Sequence, residues 1–213
     1  ICSAQNPILG MHPLQWAAVG ASIQGLQQEA LPMRDARSLL TQYARYHRDP
    51  RNIATHLLGI PLIVLAIGVL LAKPMIPVAG ANSWFTLNPA WALWAAASLW
   101  YLTRGHLLMA TLTSVCNAAL IAAAQWIALQ TGAAWLQWGV GLFVLGWVIQ
   151  FIGHYYEGRK PAFMDDVVGL LVGPMFVCAE IAFALGLAPA LRQSIETEAG
   201  PTRLRDLHAS AVR

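Results

Sequence analysis

An all-α, polytopic membrane bundle is the fold class this 213-residue sequence predicts, and three observations predict it. Hydrophobic residues make up 57% of the chain and charged residues only 11%, less than half the roughly one quarter usual in a soluble domain. The apolar residues gather in long runs, and a run of ~18 or more can cross a bilayer. The charges sit between those runs. Four or five apolar helices are therefore expected, with amphipathic helices lying at the interface. The formal net charge of +3 is too small and too scattered to suggest a nucleic-acid partner.

The chain begins at Ile1, and residues 1–32 lack a basic segment followed by a clean apolar core. They do not read as a secretory signal and are assigned as an extension of unknown role. Residues 33–190 form the membrane-embedded domain and 191–213 a polar tail. In "MRDARSLLTQYARYH" (33–47), Leu39, Leu40, Tyr43 and Tyr46 fall at helical spacing, which predicts an amphipathic helix on a surface. Asp49-Pro50 then breaks it. Pro50 suits the first position of a new helix and Asp49 its N-cap.

The first apolar helix runs from about Arg51 to Leu71, and a Pro-, Gly- and Asn-containing linker follows over 73–89. The run 90–102 is short for a span. Residues 106–129 and 134–156 are convincing spans, and 167–188 is another, interrupted at Gly173-Pro174. Gly139, Gly141 and Gly146 suit close helix packing. Asp165-Asp166 suits a cap for the 167–188 helix. Cys2, Cys116 and Cys178 form no paired motif and read as small hydrophobes.

Arg34, Arg37, Arg45, Arg48 and Arg51 precede the first span, which places that end in the cytoplasm and gives these arginines a role in orientation and lipid contact. Counting crossings from there returns Arg104 and the Arg159-Lys160 pair to the same side. It also brings His47, His56, His106 and His154 to one membrane face. On a single helix, the nine residues from His47 to His56 turn through ~900°, leaving the two rings on opposite sides. The Asp-Pro break lets the chain fold back so that they can face each other. His154 and Glu157 share a helix face. Imidazoles suit Fe, Zn, Cu and Ni, so this clustering points to a metal site. A lone histidine at an interface is more simply a polar anchor, which is the reading for His12 and His208. Glu180, within an apolar run, suits a buried pairing with Asn117 or Gln150, or a functional role.

"YHRDPRNIATHLLGIP" (46–61) and "GWVIQFIGHYYEGRKPAFMDDVVGLLVGPMFVCAE" (146–180) together resemble the family of small membrane 2-hydroxy fatty acid dioxygenases, whose fungal members act in the α-oxidation step of phytosphingosine breakdown. The resemblance covers roughly residues 33–190. It implies an Fe(2+)-dependent enzyme that shortens a 2-hydroxy fatty acid by one carbon using O2. His47, His56 and His154 match the family's histidines and would be the ligands. His106 lies in no such motif and is a candidate fourth.

The residues are compatible with that chemistry. Glu157 suits orienting a histidine through its second ring nitrogen. Arg159 or Lys160 suits holding the substrate carboxylate. The acyl chain would run down between the helices, with membrane lipids around it and the head group at a bacterial inner membrane or endoplasmic reticulum surface. Two other readings stand beside it: a zinc-dependent membrane lipid hydrolase, and a non-catalytic lipid-binding or scaffold protein. Oligomeric state is not readable from the sequence.

Overall fold

The computed structural model describes residues 34–77, 86–161 and 166–207. Residues 1–32, with Cys2 and His12, lie outside them, as do Asp165 and His208. The fold is nearly all helix: α1 (Ala36–Ala44), α2 (Pro50–Leu70), α3 (Pro89–Leu102), α4 (Leu107–Gln130), α5 (Trp135–Glu157), α6 (Gly169–Ala184) and α7 (Pro189–Ala199). A short 3-10 turn, Gly132–Ala134, leads into α5. The linker after α2 holds a two-residue antiparallel ribbon, Ile76–Pro77 against Thr86–Leu87.

Among the described residues, three helices are long and apolar enough to cross a membrane: Pro50–Leu70, Leu107–Gln130 and Gly132–Glu157. A fourth crossing would need α6 and α7 together, which bend by 115°. At 14 residues, α3 falls short, as its sequence suggests. It still joins the two ends of the bundle. Ala90 N–H donates to the Leu71 carbonyl at one end, and the Arg104 carbonyl accepts from Ala36 N–H at the other.

The tightest seam lies between α2 and α5. Gly139, Gly146 and Gly153 recur every seven residues along α5. A Cβ at Gly139 would meet Leu70 at 2.6 Å, one at Gly146 would meet Ile63 at 2.7 Å, and one at Gly153 would meet Thr55 at 2.0 Å. Gly59 answers from α2, 3.0 Å from the Gly146 carbonyl by the same measure. Small residues let apolar helices approach where lipid supplies no hydrophobic drive between them. Gly141 is not part of this seam, because a Cβ there would meet open space.

The apolar stripe of α1 is buried. Leu39, Leu40 and Tyr43 pack with Met175 and Phe176 of α6 and with Leu191 and Ile195 of α7. Helix α6 runs unbroken through Pro174. Pro174, the sixth residue of α6, lies past the free N–H groups of the helix start and so costs one i→i−4 hydrogen bond, to the Leu170 carbonyl, and Gly173 leaves room for Ile60 and Tyr43. The break comes instead at Leu185–Ala188. Asp166 accepts from Val168 N–H just before α6 and pairs with Arg34.

Candidate metal centre

The Asp-Pro break acts as the sequence suggests. Asp49 has an extended backbone (φ −78°, ψ 125°), its carboxylate accepts from Arg51 N–H, and Pro50 opens α2. The Arg51 guanidinium, bonded to the same carboxylate, holds the Asp49 carboxyl down at about 2. The chain therefore reverses between α1 and α2 and faces His47 with His56. Their Nε2 atoms are 3.0 Å apart. His154 joins them from the last turn of α5, and the three residues offer ligand atoms all within 4.8 Å of one another. All three are buried, His47 fully. The His47 ring is stacked on Tyr43 at 4.2 Å and 6° and rests against Phe176.

The protonation of two of the rings follows from their partners. His47 Nδ1 lies 2.7 Å from the Tyr43 carbonyl and His56 Nδ1 lies 2.9 Å from the Asn52 carbonyl. A carbonyl only accepts, so each Nδ1 carries the proton and each Nε2 presents a lone pair. Burial, and then the neighbouring His56, hold the His47 imidazole well below its usual range, so it stays neutral. Two lone pairs then face each other at 3.0 Å with no proton between them, an arrangement that a shared cation relieves. Two nitrogens each ~2.1 Å from one metal ion and at right angles lie ~3.0 Å apart. Neutral imidazoles with backbone-anchored Nδ1–H groups are also the usual form of metal-binding histidine. The donor set therefore fits a transition metal ion.

A polar frame holds this turn. The Glu157 carboxylate accepts from Arg48 N–H at 3.0 Å, Asp49 N–H at 2.9 Å and Asn52 Nδ2 at 3.0 Å. It thus acts on the backbone that carries His47. The second ring nitrogens of His47 and His56 go to carbonyls, so Glu157 orients neither of those two rings. From the other side, residues 200–206 cross the turn. Arg203 N–H donates to the Arg48 carbonyl and Arg205 N–H to the Asp49 carboxylate, while Arg48 and Arg51 donate to the Gly200 and Arg205 carbonyls. Arg48 and Arg51 therefore serve the protein itself, beyond the orienting role their charge suggests. Nothing in the polar tail's composition signals this strap.

The remaining expected residues stand apart. His106 is half-buried at the N-terminus of α4, its Nδ1 accepting from Met109 N–H at 3.4 Å, and it is not brought to the three-histidine group. Arg159 and Lys160 are exposed, and Arg159 donates to the Arg45 carbonyl on the outer face of the turn. Glu180 lines a surface groove with Arg48, Arg192 and Glu196, so its setting is that arginine pair and not the expected Asn117 or Gln150. Cys116 is exposed and Cys178 buried, both as free thiols.

Behind the histidines an apolar cavity of about 230 Å³ opens between α2, α5 and α6. His56 and His154 line its head. Ile60, Ile63, Ile67, Phe143, Trp147 and Leu170 line its length. From His56 to Ile67 the helix rises ~16 Å. Among the described residues, the buried side-chain atoms without a hydrogen-bond partner are Ser and Thr hydroxyls and three others: Asn52 Oδ1, Gln150 Oε1 and His154 Nδ1. All three of these lie at or within about a turn of the histidine group.

A family model described as "2-hydroxy-palmitic acid dioxygenase Mpo1-like" matches residues 33–185. The chain is also 31% identical, over 164 residues, to the 2-hydroxy-palmitic acid dioxygenase MPO1 of Saccharomyces cerevisiae, covering 76% of this chain and 88% of that one. No solved structure matches.

Proposed function

The chain belongs to the Mpo1-like family, and we propose on that footing that it is an Fe(II)-dependent dioxygenase that removes one carbon from a 2-hydroxy fatty acid at a membrane surface. The observation that carries the reading is the three buried imidazoles converging at the head of an apolar cavity. Three nitrogen donors leave adjacent positions open, as non-haem iron sites for oxygen chemistry do. Bound ferrous iron would supply O2 activation and a place for the hydroxy acid to chelate.

The chain's own residues supply the rest. His47, His56 and His154 hold the metal with neutral rings, which keeps the centre cationic and suited to an anionic head group. Glu157 fixes the turn between α1 and α2, so His47 stays in register with His56. Arg159 and Lys160, exposed at the same end, draw a carboxylate toward that face. The cavity walls take the acyl chain and exclude water from the head. Arg34, Arg37, Arg45, Arg104 and Arg159 gather at this end, supporting a cytoplasmic placement in a multi-pass protein of the bacterial inner membrane or endoplasmic reticulum.

Purified protein is expected to bind one iron per chain, and to consume one O2 per 2-hydroxy fatty acid while releasing an acid one carbon shorter, with the lost carbon leaving as CO2 and the remaining oxygen as water. His56→Ala and His154→Ala should each lower turnover by more than ~100-fold and lose metal, since even partners behind a ligand are worth that much. No transition metal, and no O2 uptake after Fe(II) reconstitution, would falsify the reading. Bound zinc with O2-independent ester hydrolysis would favour a hydrolase instead.

A further inference from the structure

The cavity's wall is not uniformly apolar. Besides the two imidazoles, Tyr43 and Gln150 are the lining residues that carry a hydroxyl or an amide. Gln150 stands one turn before His154 on α5, so both face the same way. Only 5% of Gln150 is exposed, yet among the described residues its Oε1 has no hydrogen-bond partner. The side chain is placed by packing. A Cβ on Gly59 would come within 3.2 Å of Gln150 Cγ and 3.3 Å of its Cδ, so the glycine makes the space in which the amide lies.

A buried amide oxygen without a donor is costly, more so among apolar helices where water does not substitute. Retaining one at the head of a ligand cavity makes sense when the ligand brings the donor. Ionised fatty acids offer acceptors only. A 2-hydroxy acid adds one O–H donor, on the carbon next to the carboxylate, at the same end of the molecule that the histidines would receive. The Tyr43 hydroxyl both donates and accepts, so it suits either acid. The Gln150 oxygen only accepts.

We infer that Gln150 is the residue that distinguishes 2-hydroxy acids from plain fatty acids, its Oε1 accepting a hydrogen bond from the substrate's 2-hydroxyl while the acyl chain lies along Ile60, Ile63 and Ile67. This rests on the dioxygenase reading for the substrate class and adds to it the source of selectivity. A site built to bond a hydroxyl rejects the analogue lacking it, because the site's own polar atom is then left unpaired.

The test is equilibrium binding to the full chain in detergent, with 2-hydroxypalmitate and palmitate competing against a fluorescent fatty acid. The wild-type chain should bind the hydroxy acid about tenfold more tightly or better. Gln150→Met, similar in volume and without the amide, should weaken 2-hydroxypalmitate by about that factor and leave palmitate within about twofold. Gln150→Leu should do the same, and whichever variant retains metal content and a wild-type thermal midpoint is decisive. A hydroxy-acid preference that persists in that variant overturns the inference, even if the enzyme still oxidises 2-hydroxypalmitate. If the wild-type chain itself neither binds nor oxidises 2-hydroxypalmitate, the dioxygenase reading fails, and the inference falls with it. The two failures are thus told apart by the wild-type arm.

Discussion

Both ends of the bundle bury polar side chains, but they complete their hydrogen bonds differently. Where α2 ends and α3 begins, Asn88 caps α3 by accepting from Ala90 and Trp91 N–H, and its Nδ2 donates to Gln125 Oε1. Trp91 Nε1 donates to the same oxygen at 2.8 Å. At the other end, Glu157 accepts from three donors, yet Asn52 Oδ1, Gln150 Oε1 and His154 Nδ1 are left without partners, and two Nε2 lone pairs face each other. One end pairs its amide groups with one another, as a stabilising network does, and leaves the Thr86 hydroxyl without a partner. The other withholds several, as a site awaiting a ligand would. Burial of polar residues alone would not have separated the two; the state of each atom does.

Removing Glu157 tests the contrast most severely. Glu157→Ala leaves Arg48 N–H and Asp49 N–H without their acceptor, leaves Asn52 Nδ2 with the Tyr46 carbonyl alone, and loosens the turn that carries His47. Metal affinity should fall by ~10–100-fold, the range for a residue that supports ligands without touching the metal. Glu157→Gln keeps an oxygen acceptor and should fall less. Metal titration of the purified variants measures both. An unchanged affinity in Glu157→Ala would mean that the His47 turn is held by the strap of residues 200–206 instead.

Much of the histidine end was legible because its signals are local. Asp49-Pro50 announces a cap and a first helical position within two residues, and that break alone decides whether His47 can meet His56. The long spans are legible because soluble folds rarely sustain such hydropathy over ~20 residues. The partners of Glu157 were not legible, because its acceptor role depends on the register between α2 and α5, roughly a hundred residues apart in sequence. The strap contributes its own backbone N–H and C=O groups to hydrogen bonds with Arg48, Asp49 and Arg51, and the tail's side-chain composition does not encode those. Pro174 reads as an interruption, yet α6 continues through it at the cost of one backbone hydrogen bond. Gly141 looked equivalent to Gly139 and Gly146, but only the seven-residue spacing that includes Gly153 keeps a glycine on the α2 face. Gln150 was in view within the motif; its unpartnered oxygen was not.

Asn88→Ala probes the closed end. It removes a helix cap, worth about 1 kcal/mol, and one of the donors to Gln125, worth about another. Stability to denaturant should drop by about 2 kcal/mol while metal content and substrate affinity stay at wild-type values. A parallel loss of metal would mean that the two ends are coupled through α2 and α4, and that the distinction between a structural and a functional polar network is wrong for this fold.

The smallest effect is expected from Asp35, which sits at the histidine end but outside the frame of the turn. It caps α1, accepting from Ser38 N–H at 2.8 Å, and that hydrogen bond holds its carboxyl below the usual 3.8. Between the folded value and 3.8 the unfolded chain binds more protons than the folded one, so stability rises with pH through that window. The contribution is complete above 3.8 and is lost as pH falls through the lower, folded value. Asp35→Ala should cost about 1 kcal/mol near neutral pH, with the gap from wild type narrowing in acid. Asp35→Asn should retain most of the cap with no such pH dependence. Neither substitution should release metal, since α1 is also held by Leu40 and Tyr43 in the core. Metal loss in Asp35→Ala at neutral pH would show that the whole of α1, and not the Glu157-bound turn alone, sets the position of His47.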